Sequence, residues 1–189
     1  MPDPRAIPLP RPGPGSGRAR LAEILRVDHA GELGAVHIYR GQQAVFARAK
    51  DKQAIAAQLR EMEGHEAVHL KAFDGLLNDR HVRPTLLAPL WRAAGFALGA
   101  GTALLGEKAA HACTEAVESV IEDHYAGQIS ELQHRDPPLA AELTKFRDDE
   151  LGHRDQAIAA GAKEALGYPL LSSAIRAGCR LAIRVSQKL

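Results

Sequence analysis

The 189-residue chain carries Glu-x-x-His twice, as Glu66-Ala-Val-His69 and Glu150-Leu-Gly-His153. Two residues three apart on a helix point the same way, so each pair can serve one metal centre. Each pair is preceded by another glutamate at nearly the same distance: Glu32 lies 34 residues before Glu66, and Glu118 lies 32 before Glu150. The upstream glutamates also open matching segments. Glu32, six residues, Tyr39, one residue, Gly41-Gln42 is echoed by Glu118, six residues, Tyr125, one residue, Gly127-Gln128. This order of elements describes a duplicated helical hairpin. In each copy the first helix runs roughly 27 Å from its glutamate to the turn and the second returns roughly 23 Å, so the ligands meet at mid-bundle. Four carboxylates would then converge with two imidazoles, a cost no domain tolerates unpaired. Two divalent ions balance the four charges. One histidine per metal among carboxylates suits iron or manganese better than zinc, which prefers more nitrogen and sulfur.

A glutamate from each of two helices plus Glu-x-x-His from each of two others is the ferritin-like pattern. One competing motif overlaps it. His65-Glu66-Ala67-Val68-His69 spells the H-E-x-x-H of zinc proteases, in which the glutamate is a free base. That reading leaves Glu150 and His153 unexplained, and the duplication outweighs it. His65 is then without a role. A solvated helix face is the plainer alternative for any one Glu-x-x-His, but not for two copies with matching upstream glutamates.

The elements that must position these residues read as helices at a 3.6-residue period. They are expected over about 20–50, 51–78 with Asp51 as N-cap, an apolar third segment ending near Gly106, 107–134, 139–166 and 170–189. Asp136-Pro137-Pro138 is expected to stop the fourth helix and Gly167-Tyr168-Pro169 the fifth. No segment shows strand alternation. The fold class is therefore all-α: a ferritin-like four-helix bundle with an internal repeat plus two additional helices, one short and apolar, one C-terminal and amphipathic. Composition agrees, since Ala occurs 34 times and aromatic residues make up 4%. Six of eleven prolines fall in the first fourteen residues, so 1–18 is expected to be a disordered tail and 19–189 a single domain. Cys113 and Cys179 are too few for a disulfide scaffold and read as reduced core residues. The stretch Leu86–Gly106 is unusually apolar, but its uncharged part is shorter than the roughly 20 residues a spanning helix needs. It reads as either a buried core helix or a helix lying in one leaflet. Its four glycines weaken an isolated helix, so it depends on a partner or on lipid.

Beyond the ligands, the segments Arg26-VDHAGELGA-Val36, Arg83-Pro-Thr-Leu86, Pro89-Leu-Trp91, Gly95-FALGAGTALLG, Ala112-Cys-Thr114, His124-Tyr125, Phe146-Arg-Asp148 and Ala177-Gly-Cys-Arg180 resemble the demethoxyubiquinone hydroxylase family of ubiquinone biosynthesis. The resemblance runs from about residue 20 to the C-terminus and leaves out the proline-rich tail. It implies a di-iron monooxygenase that uses O₂ to hydroxylate the ring of a 2-polyprenyl-3-methyl-6-methoxy-1,4-benzoquinol. Glu32, Glu66, His69, Glu118, Glu150 and His153 would hold two Fe ions, with one or two carboxylates bridging. His124 and Tyr125, one and a half to two turns beyond Glu118, become candidates to line a substrate cavity, with a core tyrosine as the competing role. The resemblance also implies NADH as reductant, a peripheral place on the cytoplasmic side of a bacterial cell membrane, and a homo-oligomer or a lipid-binding partner protein as possible assemblies. The apolar segment and the basic last helix, with Arg176, Arg180, Arg184 and Lys188 at four-residue spacing, would form the way in for a polyprenyl tail.

Charge separates the alternatives. The formal net charge is +1, with no dense basic cluster, which weighs against a di-iron hydroxylase acting on tRNA and against nucleic-acid binding in general. A ferritin-like protein handling iron or peroxide would share the ligands but not need the apolar segment. With two divalent ions neutralising four internal glutamates, the loaded chain carries +5, a modest excess that suits an anionic membrane surface.

Overall fold

The computed structural model describes residues 17–189, and it is built of six α-helices. They are α1 (Gly17–Phe46), α2 (Gln53–Asp79), α3 (Ala88–Leu104), α4 (Glu107–Leu132), α5 (Pro137–Ala159) and α6 (Tyr168–Ser186). There is no strand among the described residues. Helices α1 and α2 form one hairpin and α4 and α5 the other, while α3 lies along α1 and α6 along α4. The expected tail falls largely outside the described residues; its last two positions, Gly17 and Arg18, form the first turn of α1.

Local chemistry sets the helix boundaries, and in three places not as the sequence alone suggests. Asp51 does not cap α2. It sits inside a 3-10 turn, Lys50–Lys52, its carboxylate paired with Lys52 Nζ at 3.2 Å, and α2 starts one turn later. Pro137 and Pro138 open α5 instead of merely ending α4, because proline lacks only an N–H that the first turn leaves unbonded anyway. Asp136 completes that start by accepting from the Leu139 N–H at 3.4 Å. Helix α5 ends at Ala159, short of Leu166, where Gly161 takes φ +92° and a 3-10 turn follows.

Two apolar layers bracket the middle of the bundle. Ile24, Leu25, Phe73, Leu77, Leu132, Leu143 and Phe146 pack on one side, and Phe46, Ile55, Leu59, Met62 and Ala103 on the other. Along α1, α2 and α4 the glutamates and His69 fall between these layers in sequence and in space.

Helix α3 resolves the apolar stretch into two faces. Its glycines meet the α1 backbone: a Cβ on Gly95 would lie 2.7 Å from Gly34 O, one on Gly99 would collide with the Ile38 backbone, and Gly41 of α1 faces Phe96 and Ala100 in the same way. The contacts 34 with 95 and 38 with 99 keep one register, so α1 and α3 run parallel. The partner these glycines call for is α1. The outer face is not core: Leu90, Leu104 and Leu105 stay mostly exposed. Among the described residues no helix is long and apolar enough to cross a membrane.

Gly99→Ala should destabilise the fold by about 1–3 kcal/mol, since the new Cβ meets backbone that must shift. Gly101→Ala, where a Cβ meets nothing within 4 Å, should be neutral or stabilising by up to about 1 kcal/mol. Denaturant unfolding of the two variants checks this; equal midpoints would remove the close crossing.

Candidate metal centre

Each helix of the two hairpins delivers its ligands to one buried point. Glu32 comes from α1, Glu66 and His69 from α2, Glu118 from α4, and Glu150 and His153 from α5, and all six are buried. Their donor atoms form two overlapping groups, Glu32, Glu66, His69 and Glu150, and Glu66, Glu118, Glu150 and His153, with the atoms of each group within 4.8 Å of one another. Glu66 and Glu150 belong to both. Glu150 Oε1 lies 3.3 Å from His69 Nδ1 and its Oε2 lies 3.2 Å from His153 Nδ1. Glu66 Oε1 lies 3.0 Å from His153 Nδ1 and its Oε2 lies 4.0 Å from His69 Nδ1. Each of these two carboxylates thus turns one oxygen toward each histidine, while Glu32 and Glu118 each belong to one group alone.

The surroundings hold each ligand in place. Tyr39 donates to Glu118 Oε1 at 2.7 Å, and Tyr125 donates to Glu32 Oε1. The tyrosines cross over, each serving the glutamate of the other half. The far nitrogens of the histidines are held too, His69 Nε2 by Asp149 Oδ2 at 3.1 Å and His153 Nε2 by His65 Nδ1 at 3.0 Å. That leaves both Nδ1 atoms facing the carboxylates, as a metal ligand requires. His65, which the motif reading left idle, is thus a positioning residue for His153. Asp149 and Tyr39 were not among the expected site residues. Tyr39 was legible through its echo of Tyr125; Asp149, on an exposed position beside Glu150, gave no signal.

Tyr125 is buried in the core with its hydroxyl on Glu32. His124 lies apart from it, within 2.9 Å of Gln128 Nε2, beside a surface pocket of about 380 Å³ lined also by Arg180, Arg184 and Gln187. Burial, helped by the Arg20 charge, holds the His124 imidazole down at about 4, so it is neutral at pH 7.

The residues present fit a pair of divalent cations. Glu32 Oε2, both oxygens of Glu66, Glu118 Oε2, Glu150 Oε1 and His69 Nδ1 are buried without a hydrogen-bond partner. Such atoms are rare in a folded core, and here they all face one another. The six donors, four anionic oxygens and two nitrogens, are the set for iron or manganese and lack the sulfur or extra nitrogen of a zinc site.

Beside the centre runs an apolar groove of about 530 Å³ between α1, α3, α4 and α6. Gly31, Gly34 and Ala35, on either side of Glu32, form its floor with Val117, the neighbour of Glu118. Leu98, Ile175 and Ile183 are among its walls.

The sequence model of the family described as "Ubiquinone biosynthesis protein COQ7" matches residues 19–186. The chain belongs to this family. It is 53% identical over 174 residues to the 3-demethoxyubiquinol 3-hydroxylase of Rhodospirillum rubrum, covering 92% of this chain and 81% of that one. It is 48% identical to the mitochondrial NADPH-dependent 3-demethoxyubiquinone 3-hydroxylase of Homo sapiens, over 91% of this chain and 79% of the human one. The mitochondrial 5-demethoxyubiquinone hydroxylase of Saccharomyces cerevisiae is 41% identical over 90% of this chain and 79% of its own length. The similarity of this COQ7-family chain therefore spans all six helices and every residue of the cluster.

Without metal the cluster must hold protons instead. Burial, then the charge of Glu150, pushes Glu66 and Glu118 well above the usual carboxylate range. Burial would also raise Glu150, but the two imidazoles of His153 and His69 beside it outweigh this and hold that carboxyl low. Burial opposes charge on His69, yet Glu150 and Glu32 lift it to about 10. The raised carboxyls stabilise the metal-free fold fully below their unfolded value of about 4.5 and lose that contribution as pH rises through their folded values. His69 adds stability below about 6.5 that is lost as pH rises through about 10. Both act in one direction, and above pH 7 the neutral His124 no longer opposes them, so the Tm of metal-free protein should fall as pH rises from 7 to 9, while affinity for Fe(II) or Mn(II) should rise over the same range because fewer protons compete. Calorimetric titration and melting curves across this range check both; pH-independent metal affinity would contradict the buried cluster.

Proposed function

We infer that this chain is a di-iron monooxygenase that hydroxylates the ring of demethoxyubiquinol with O₂ in ubiquinone biosynthesis. The observation that carries this is the juxtaposition of two ligand groups sharing Glu66 and Glu150 with an apolar groove whose floor is the backbone around Glu32 and Glu118. The relatives named as demethoxyubiquinol and demethoxyubiquinone hydroxylases support the same chemistry.

In this reading Glu32, Glu66, His69 and Glu150 hold one iron and Glu66, Glu118, Glu150 and His153 the other. Bound iron would supply the activation of O₂ and the redox equivalents for oxygen insertion. The protein's own part is positioning. Tyr39 and Tyr125 fix one oxygen of Glu118 and of Glu32 and leave the other free for metal. Asp149 and His65 fix the imidazole rings. The groove would take the polyprenyl tail along its apolar walls and lay the ring over Gly31, Gly34 and Ala35, where the Ala35 methyl is the largest side chain. Packing on both sides of the cluster excludes water. Electrons would come from a nicotinamide nucleotide; the family resemblance points to NADH, and the human relative is named NADPH-dependent. An iron-storing or peroxide-handling protein would have no use for such a groove, and a tRNA hydroxylase would need basic surface that +1 net charge does not provide.

Iron-loaded protein, given a short-chain demethoxyquinol, a reductant and O₂, should yield product heavier by one oxygen atom on mass analysis. Glu32→Ala or His153→Ala should abolish this while the circular dichroism stays helical. Full activity of either variant would refute the ligand assignment.

A peripheral membrane location belongs to the same reading. Leu86, Leu90, Leu104 and Leu105 from the α3 region and Leu166, Leu170 and Leu181 around α6 are each more than half exposed. Arg180, Arg184 and Lys188 lie on the same last segment. Apolar side chains beside basic ones are the makings of an interfacial surface on anionic lipid. The protein should float with anionic liposomes at low salt and much less with neutral ones; a protein that stays unbound in both would remove the membrane from the proposal.

A further inference from the structure

Two sides of the bundle approach the metal centre, and they differ in chemistry. On one side lies the apolar groove between α1, α3, α4 and α6. On the other, α2 and α5 face each other with little packing between them, each helix being held by its hairpin partner. A short antiparallel ladder of side chains closes this seam. Gln58 Nε2 donates to Gln156 Oε1 at 3.4 Å, and His65 Nδ1 lies 3.0 Å from His153 Nε2. His69 Nε2 lies 3.1 Å from Asp149 Oδ2, and the Phe73 and Phe146 rings stand 5.5 Å apart. Only the last of these rungs is apolar.

The two middle rungs frame a window. His65 and His69 are four residues apart on α2, and Asp149 and His153 four apart on α5, so it measures roughly 6 Å along the axis. Glu66 falls within the first interval and Glu150 within the second, and both carry buried oxygens without a hydrogen-bond partner. These are the two carboxylates common to both ligand groups. The outer members of the rungs reach water: His65 is exposed, and the Asp149 side chain is 56% exposed. Each buried histidine of the centre is thus one side chain away from the surface.

A hydrated divalent cation is poorly served by the groove, because apolar walls offer nothing in place of the water it sheds. The seam offers a carboxylate and imidazoles. We propose that Fe(II) enters the centre through the window between α2 and α5, drawn in by the Asp149 carboxylate and admitted when His65 swings outward. This rests on the reading of the buried cluster as the metal centre. The His65 ring stacks on that of His153, centroids 5.3 Å apart and 11° from parallel, and so covers it from the solvent side. Asp149 sits behind the ring whose Nδ1 faces Glu150 at 3.3 Å, one imidazole from the shared carboxylates. Lipid and aqueous ion then reach the centre from opposite sides, and neither route has to suit both.

The test follows the loading of full-length metal-free protein with Co(II), whose visible absorption reports binding. Stopped-flow rates taken against Co(II) concentration separate entry from release. Entry into wild-type protein should slow as salt rises. Asp149→Asn keeps an acceptor for His69 but removes the charge; entry should be about three- to tenfold slower and less sensitive to salt. Asp79→Asn removes the same charge from the end of α2, about 15 Å from His69, and should load as wild type does. His65→Ala removes the cover and should speed entry and release together. Geranylbenzene, in amounts that calorimetry shows to fill the groove, should leave wild-type entry unchanged. A purely positioning role for His65 or Asp149 would change release alone. Equal entry rates in wild type and Asp149→Asn, slower entry in His65→Ala, or slower entry with the groove filled would each overturn the port. If wild-type protein binds no Co(II), the metal-centre reading itself fails and the proposal with it. The salt and groove-filling measurements need only wild-type protein, so misfolding of a variant would not protect the proposal.

Discussion

Four carboxylates at the centre of a helical bundle are the constraint on which everything else in this structure depends. Their uncompensated burial would exceed the roughly 5–15 kcal/mol by which a domain of this size is stable. The chain meets this with two devices that differ in kind. Hydrogen bonds from Tyr39 and Tyr125 occupy one oxygen each of Glu118 and Glu32. The remaining oxygens are left facing each other and the two Nδ1 atoms, an arrangement that repels itself unless protons or cations enter. The upward displacement of Glu66 and Glu118 and the lift of His69 express that repulsion in the metal-free chain. A site built this way is stable in proportion to what it binds, which is how a bundle keeps an anionic centre without collapsing it into ordinary core.

The duplication shapes how that centre is held. Equivalent glutamates sit on equivalent helices, yet each is held by the tyrosine of the other hairpin. The hairpins are thus tied through hydrogen bonds 79 and 93 residues apart in sequence, and neither hairpin contains a complete site. The shared carboxylates, Glu66 and Glu150, follow the same rule, one from each half. Symmetry ends at the histidines. His69 is held by an aspartate and His153 by another histidine, so the two metal positions differ in charge environment, although their direct donors match in type. A centre with two inequivalent positions can divide roles between them where a symmetric one cannot.

What could be read in the sequence divides along physical lines. The convergence of Glu32, Glu66, His69, Glu118, Glu150 and His153 was legible because its geometry is local: three residues on a helix give a shared face, and two helices of similar length bring two glutamates level. The all-α class was legible for the same reason. His65 and Asp149 were not, because each acts across the bundle on a histidine far away in sequence, 88 positions in one case and 80 in the other, and no periodicity encodes that distance. Tyr125 was recognisable as important from its place in the repeat, but its partner, Glu32 on the other hairpin, was not. The boundary at Pro137 turned on an ambiguity local rules cannot settle: the same Asp-Pro-Pro that stops one helix is also a good start for the next. Asp51 lost the cap of α2 to a 3-10 turn for a similar reason, two local solutions being close in energy.

The glycines of α3 join the scaffold to the substrate side of the molecule. Read as helix breakers, they pointed only to a need for support. In the fold Gly95 and Gly99 let α3 approach the α1 backbone around Gly34 and Ile38, the segment that starts two residues beyond Glu32. The same economy of side chains at Gly31, Gly34 and Ala35 leaves the groove floor thin where it passes the metal ligands. One stripe of small residues therefore meets two requirements: a close helix crossing that fixes α3, and a short separation between an apolar ligand and a buried charged centre. Larger residues would satisfy neither, since a wider crossing would release α3 and a thicker floor would move the ring away from the cluster.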